Sequence, residues 1–173
     1  MKGLGERFPD FILDAVTGSK GEVKKINSKS YPDHWLVVFF WPFDFTFVCP
    51  TEISEFSDKE GEFTKRNTKV LGVSADSAWS HSTWKNIDPN MGKITFPMLS
   101  DFNKTLSSDL GILNVDGAPE RATYIVDRDM IIRNVVVYDR NVGRNVDETI
   151  RVLDALQNGN LCPVNWKKGD STL

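Results

Sequence analysis

WLVVFFW, residues Trp35–Trp41, is an unbroken apolar run, and PFDFTFVCPTE, residues Pro42–Glu52, follows it at once. The run has the length of one strand and is rich in β-branched and aromatic residues, which predicts a central strand buried on both faces. Beyond Cys49 the period changes. Ile53, Phe56 and Phe63 share one helical face, and Glu55, Lys59, Glu62 and Lys65 fall mostly elsewhere. Pro50 suits the first position of that helix, where a missing N–H costs nothing. The stretch therefore predicts a buried strand, a short turn and a helix starting at Cys49. In open α/β sheets such strand ends are where reactive groups collect.

Working outward, KVLGVS (Lys69–Ser74) reads as the next strand and Ala78–Lys85 as a second helix. Phe102–Leu110 predicts a third helix, ended by Gly111. Ala122–Val126 and Ile131–Tyr138 flank an Asp127-Arg128-Asp129 turn and predict a hairpin. Val146, Ile150, Leu153 and Leu156 recur at helical spacing over Val146–Gln157, with Gly159 as the stop. The sum is an α/β fold, a mixed central β-sheet flanked by helices. Residues 1–159 form one domain in this reading, and 160–173 a polar C-terminal tail carrying Cys162.

Composition narrows the function. Of 173 residues, 40% are hydrophobic and 26% charged, as in ordinary globular proteins. The net charge of −3, without a basic run, gives no electrostatic reason for a nucleic-acid or membrane partner. No apolar stretch approaches the roughly 20 residues that span a bilayer. The opening MKGLGERFPDF lacks the apolar core of a secretory signal, so a cytoplasmic protein is expected. Cys49 and Cys162 are the two cysteines, and His34 and His81 the two histidines. No close Cys/His spacing suggests a metal site. In a reducing compartment such a cysteine pair is either packing or redox chemistry.

The position of Cys49 favours chemistry. Unpaired N–H groups and the dipole of a first helical turn favour an anion there. Pro42, Thr46 and Cys49 then match the P-x-x-x-T-x-x-C signature of peroxiredoxins, which this chain resembles along essentially its whole length. The longer string Asp44–Glu52 is similar to the subgroup typified by the bacterial alkyl hydroperoxide reductase C subunit. Cys162-Pro163, Trp166, Lys167 and the Gly169–Leu173 ending resemble that subgroup's tail. Arg121, directly before a strand, matches the family's active-site arginine.

The resemblance implies a thioredoxin-like fold and a thiol-dependent peroxidase acting on hydrogen peroxide and organic hydroperoxides. Cys49 would be the nucleophile, converted by peroxide to a sulfenic acid. Ionisation alone gains little, because an ordinary thiol is already a few per cent thiolate at neutral pH. Most of the rate must come from groups that align and stabilise the breaking O–O bond. By the resemblance Arg121 donates to sulfur and peroxide, Thr46 accepts from the peroxide, Pro42 shields the pocket and Glu52 orients Arg121. Cys162 would close the cycle in an intersubunit disulfide with Cys49. A homodimer, often a ring of five dimers, is implied with it.

Read singly, the same residues have plainer explanations. Thr46 fits a loop hydroxyl, Pro42 a strand terminator, Arg121 a surface cation and Glu52 a first-turn carboxylate. His81 and Trp84 fit packing as well as a pocket, and Phe43, Phe45 and Phe47 fit a rim or an interface. Trp41 departs from the family, where tyrosine is common; its indole N–H donates but cannot accept. A thioredoxin-type oxidoreductase would need a cysteine where Glu52 stands. A holdase-type chaperone or scaffold ring is the non-enzymatic alternative. No metal, haem or flavin is required, and a flavoprotein reductase, thioredoxin or similar dithiol protein would regenerate the thiols.

Overall fold

The computed structural model describes residues 1–18 and 21–173. Among the described residues, seven strands form one mixed sheet: β1 (Ile12–Thr17), β2 (Glu22–Asn27), β3 (Trp35–Phe40), β4 (Thr68–Ser74), β5 (Met98–Ser100), β6 (Arg121–Val126) and β7 (Ile132–Tyr138). Their order is β2-β1-β5-β4-β3-β6-β7. β3 pairs in parallel with β4, and β4 with β5, whereas the other pairings are antiparallel.

The apolar run behaves as its composition dictates. Alternate side chains of a strand point to opposite faces. Leu36, Val38 and Phe40 enter one core with Phe8, Leu71 and Tyr124. Val37, Phe39 and Trp41 enter a second core with Ile53, Phe56 and Phe96. A strand flanked by two cores has no polar face, hence the absence of polar residues from Trp35 to Trp41.

The helices are α1 (Cys49–Asp58), α2 (Glu60–Thr64), α3 (Ala78–Ile87), α4 (Pro89–Gly92), α5 (Thr105–Leu110) and α6 (Val146–Asn158). Ser77 caps α3 by accepting from Ser80 N–H at 3.1 Å, and Asn145 caps α6 by accepting from Glu148 N–H at 3.0 Å. Gly159 ends α6 in the left-handed region, at φ 76°.

Three details differ from expectation. The helix from Cys49 breaks at Lys59 (φ −95°, ψ 6°), so Phe56 and Phe63 sit on separate helices, their rings stacked 6.1 Å apart. The third helix starts at Thr105 rather than Phe102, because the Asp101 carboxylate accepts from Leu106 N–H (3.1 Å) and Ser107 N–H (2.8 Å). The β1–β2 hairpin and the three-residue β5 extend the sheet beyond the strands the sequence predicts.

The tail folds back on α6. Trp166 is buried, its indole N–H donating to the Asp170 carbonyl at 3.1 Å. Arg151 of α6 donates to the Trp166 carbonyl at 3.0 Å. No helix among the described residues is long and apolar enough to cross a membrane.

Candidate active site

Cys49 is the first residue of α1, only 1% exposed, and part of the second core. Val48 precedes it without a capping side chain, and Pro50 follows. The N–H groups of Thr51 and Glu52 turn back to the Val48 carbonyl, at 3.1 and 3.4 Å. The first helical turn thus seats the sulfur near the end of β3, beside a cluster of charged residues.

Those charged residues form one buried cluster. Arg121, the first residue of β6 and 3% exposed, points Nη1 at Cys49 Sγ, 3.6 Å away. The same Nη1 bonds Glu52, while Nη2 donates to the Arg140 carbonyl at 2.8 Å. Glu52, 4% exposed, also accepts from the Arg144 N–H (2.9 Å) and from Arg144 Nη1 (3.1 Å). Arg144 reaches the Phe40 and Ala122 carbonyls with Nη2 and lies over the Phe39 ring, 5.4 Å from its centroid. Burial pulls the Arg144 guanidinium down to about 10, against the opposing pull of Glu52. Two guanidiniums and one carboxylate leave one positive charge beside the sulfur.

The hydrogen bonds therefore bring together three of the expected residues, Cys49, Glu52 and Arg121. Thr46 and Pro42 lie on the same loop. The Thr46 hydroxyl donates to the Phe43 carbonyl at 3.2 Å, and Pro42 is buried behind Trp41. Cys162 joins none of these bonds; its thiol faces the Ala155 carbonyl of α6 at 3.9 Å. Both thiols are free.

Over residues 4–135 the chain matches the family described as AhpC/TSA. The chain belongs to the AhpC/TSA family. Alkyl hydroperoxide reductase C of Mycolicibacterium smegmatis is 46% identical over 98% of this chain and 92% of its own length. The solved structure of Mycobacterium tuberculosis AhpC superposes with a TM-score of 0.90 at 44% identity, covering 96% of this chain and 99% of that one. Reduced 2-Cys peroxiredoxin of Plasmodium vivax superposes at 0.93 with 33% identity, covering 99% and 93%. The seven-stranded mixed sheet with flanking helices is the thioredoxin-like fold of these AhpC/TSA proteins.

Two features of this AhpC/TSA site lay outside the sequence reading. Arg144 is one cation among many in a polar loop, and only the sheet order reveals that it reaches β3 and β6. The second feature is a polar network under the Cys49 loop. Asp44 accepts from Trp41 Nε1 (2.9 Å), Ser80 Oγ (2.8 Å) and His81 Nδ1 (2.8 Å), and its N–H donates to Asp76 at 2.9 Å. Burial, reinforced by Asp44, raises the Asp76 carboxyl above the ordinary range. His81, fully buried, faces the Leu99 carbonyl with its other ring nitrogen at 3.2 Å. Trp84 packs against Phe45, with ring centroids 5.4 Å apart and planes tilted by 38°. These residues belong to the wall and floor of the loop.

Proposed function

We propose that this chain is a thiol peroxidase of the two-cysteine type, with Cys49 as the peroxidatic and Cys162 as the resolving residue. The observation that carries it is Arg121 Nη1 lying 3.6 Å from Cys49 Sγ at a helix N-terminus, with Glu52 and the Arg140 carbonyl fixing the guanidinium. Alkyl hydroperoxide reductase C and 2-Cys peroxiredoxin relatives support hydroperoxides as substrates.

The thiolate attacks one peroxide oxygen. An S–O bond forms, the O–O bond breaks, and the departing alkoxide takes a proton to leave as alcohol, or as water from hydrogen peroxide. Negative charge builds on the departing oxygen, where a fixed guanidinium stabilises it without reorganisation. Arg121 supplies that charge, the Cys49 N–H a further donor, and the Thr46 hydroxyl an acceptor for the peroxide proton. Pro42 keeps water from the sulfur. The Cys49 sulfenic acid then condenses with the Cys162 thiol: an S–S bond forms, the S–O bond breaks, and water leaves.

The disulfide joins two subunits in this reading, and five such dimers form a ring. The edge strand β7 supports pairing between chains, because Val136 and Val137 lie exposed on it. Exposed Phe45, Phe47 and Trp79 offer a second apolar surface for the ring. The tail, residues 160–173, acts as a separable carrier of the resolving thiol. Two free thiols suit the reducing cytoplasm, where a dithiol protein or flavoprotein reductase would regenerate them. Non-reducing electrophoresis after one equivalent of hydrogen peroxide tests the pairing. A linked dimer in the wild type, lost in both Cys49→Ser and Cys162→Ser, is expected. A linked dimer persisting in either variant, or none in the wild type, would overturn it.

A further inference from the structure

Cys49 cannot meet any distant thiol where it sits. A disulfide needs the two Cβ atoms within about 4.5 Å. Cys49 is buried in the second core, and Cys162 rests against Ala155 on α6. The first turn of α1 and the loop before it must therefore leave their seat, so whatever holds that loop sets a rate.

The hold is concentrated at Asp44. Both carboxylate oxygens are occupied, one by Trp41 Nε1 and the other by Ser80 Oγ and His81 Nδ1. These donors come from rigid parts, the end of β3 and the first turn of α3. Trp41 itself is fully buried, and its N–H continues the sheet to the Val73 carbonyl at 3.0 Å. Phe45, the next residue after Asp44, has φ 56°. Bulky side chains rarely adopt that left-handed conformation, and it persists only where the surroundings over-determine it. Here Asp44 on one side and the Trp84 ring on the other supply that constraint. A strained turn held by this carboxylate and the Trp84 ring opens more readily when a clamp bond is lost.

We propose that Trp41 is a positioning residue whose indole N–H, through Asp44, holds the Cys49 loop shut and so sets the rate of disulfide formation. It touches no reacting atom. The inference rests on the two-cysteine peroxidase reading. Condensation of the Cys49 sulfenic acid with the Cys162 thiol waits for the loop to open. Meanwhile a second hydroperoxide can oxidise the sulfenate to sulfinate, transferring one oxygen and leaving as alcohol or water. The clamp thus sets the peroxide level at which turnover gives way to inactivation.

Trp41→Phe removes the donor and keeps the ring's apolar bulk. Mixing the reduced full-length protein with one equivalent of hydrogen peroxide, then quenching for intact-mass analysis, separates the two steps. Cys49 oxidation is expected to stay within about threefold of wild type. Disulfide formation should quicken by roughly tenfold or more, the worth of one buried hydrogen bond to a carboxylate. Sulfinate yield in excess peroxide should fall in parallel. Hydrogen exchange in the reduced protein gives a readout free of activity: amides of residues 44–49 should exchange faster, with α6 unchanged. Ser80→Ala, which removes a different donor to the same carboxylate, should shift both readouts the same way if Trp41→Phe fails to fold. Unchanged disulfide formation and unchanged exchange in a folded variant would overturn the clamp. A wild type that forms no disulfide would instead overturn the peroxidase reading, and the exchange rates would still decide the clamp.

Discussion

Replacing Arg121 by lysine keeps its charge and removes its fork. In the native site one guanidinium serves three partners: Cys49 Sγ at 3.6 Å, the Glu52 carboxylate, and the Arg140 carbonyl at 2.8 Å. A single ammonium on a flexible stem cannot hold all three. With Glu52 buried three residues beyond Cys49 in the first turn of α1, the ammonium will settle on the carboxylate and leave the sulfur. Losing one preorganised donor to a developing oxyanion costs about 10²–10³ in rate. The retained charge places Arg121→Lys near the lower end, about 10²-fold slower, and Arg121→Gln at or beyond the upper. The assay is stopped-flow oxidation of the reduced protein under excess hydrogen peroxide. The second-order constant is read from the slope, and circular dichroism confirms that both variants are folded. A folded Arg121→Lys protein oxidised within threefold of the wild-type rate would show the fork to be irrelevant to the transition state.

A Cβ on Gly72 would lie 2.8 Å from Trp41, 2.9 Å from Phe96 and 3.1 Å from Phe39, so Gly72→Ala should lower stability by about 1–3 kcal/mol in urea titration. Lys85 is buried with one acceptor, the Ile94 carbonyl at 2.6 Å, and burial lowers its amine below the ordinary lysine value. Between that lowered value and about 10.4 the unfolded chain binds more protons than the native one, so the penalty for burying the ammonium fades as pH rises. Lys85→Met should therefore match or exceed wild-type stability by about 1 kcal/mol at pH 7, with the advantage shrinking toward pH 10 in thermal melts. Trp166→Ala should free the tail: Cys162 should alkylate faster and residues 160–173 become protease-sensitive, with Cys49 oxidation by peroxide unchanged within about twofold.

The sequence made legible what rests on local pattern. Trp35–Trp41 has no polar face because two cores flank β3, and the change of period at Cys49 marks the strand-to-helix junction. The conjunction of Pro42, Thr46, Cys49 and Arg121 pointed to the strand-to-helix junction, where Arg121 lies beside Cys49. Elements that pattern cannot announce were missed. The first four residues of β2, Glu22–Lys25, are exposed, so no apolar alternation marks it, and β5 is too short to show a period. Arg144 and Asp44 were illegible as site-wall residues for another reason. Most of their partners lie on strands and helices far away in sequence, and burial of a charged residue is decided by that long-range packing. Trp41 was visible as a departure from the family, yet only the structure ties its N–H to Asp44.

Peroxide reduction by Cys49 and resolution by Cys162 make separable demands on the two thiols. Stopped-flow oxidation of the reduced protein, run beside Cys49→Ser and Cys162→Ser, tests both most directly. Rapid consumption of peroxide by the wild type is expected, with none above background by Cys49→Ser and a single fast turnover by Cys162→Ser that ends in sulfenic acid. A wild type reacting no faster than a free thiol, or a Cys49→Ser protein that keeps the fast phase, would contradict these roles.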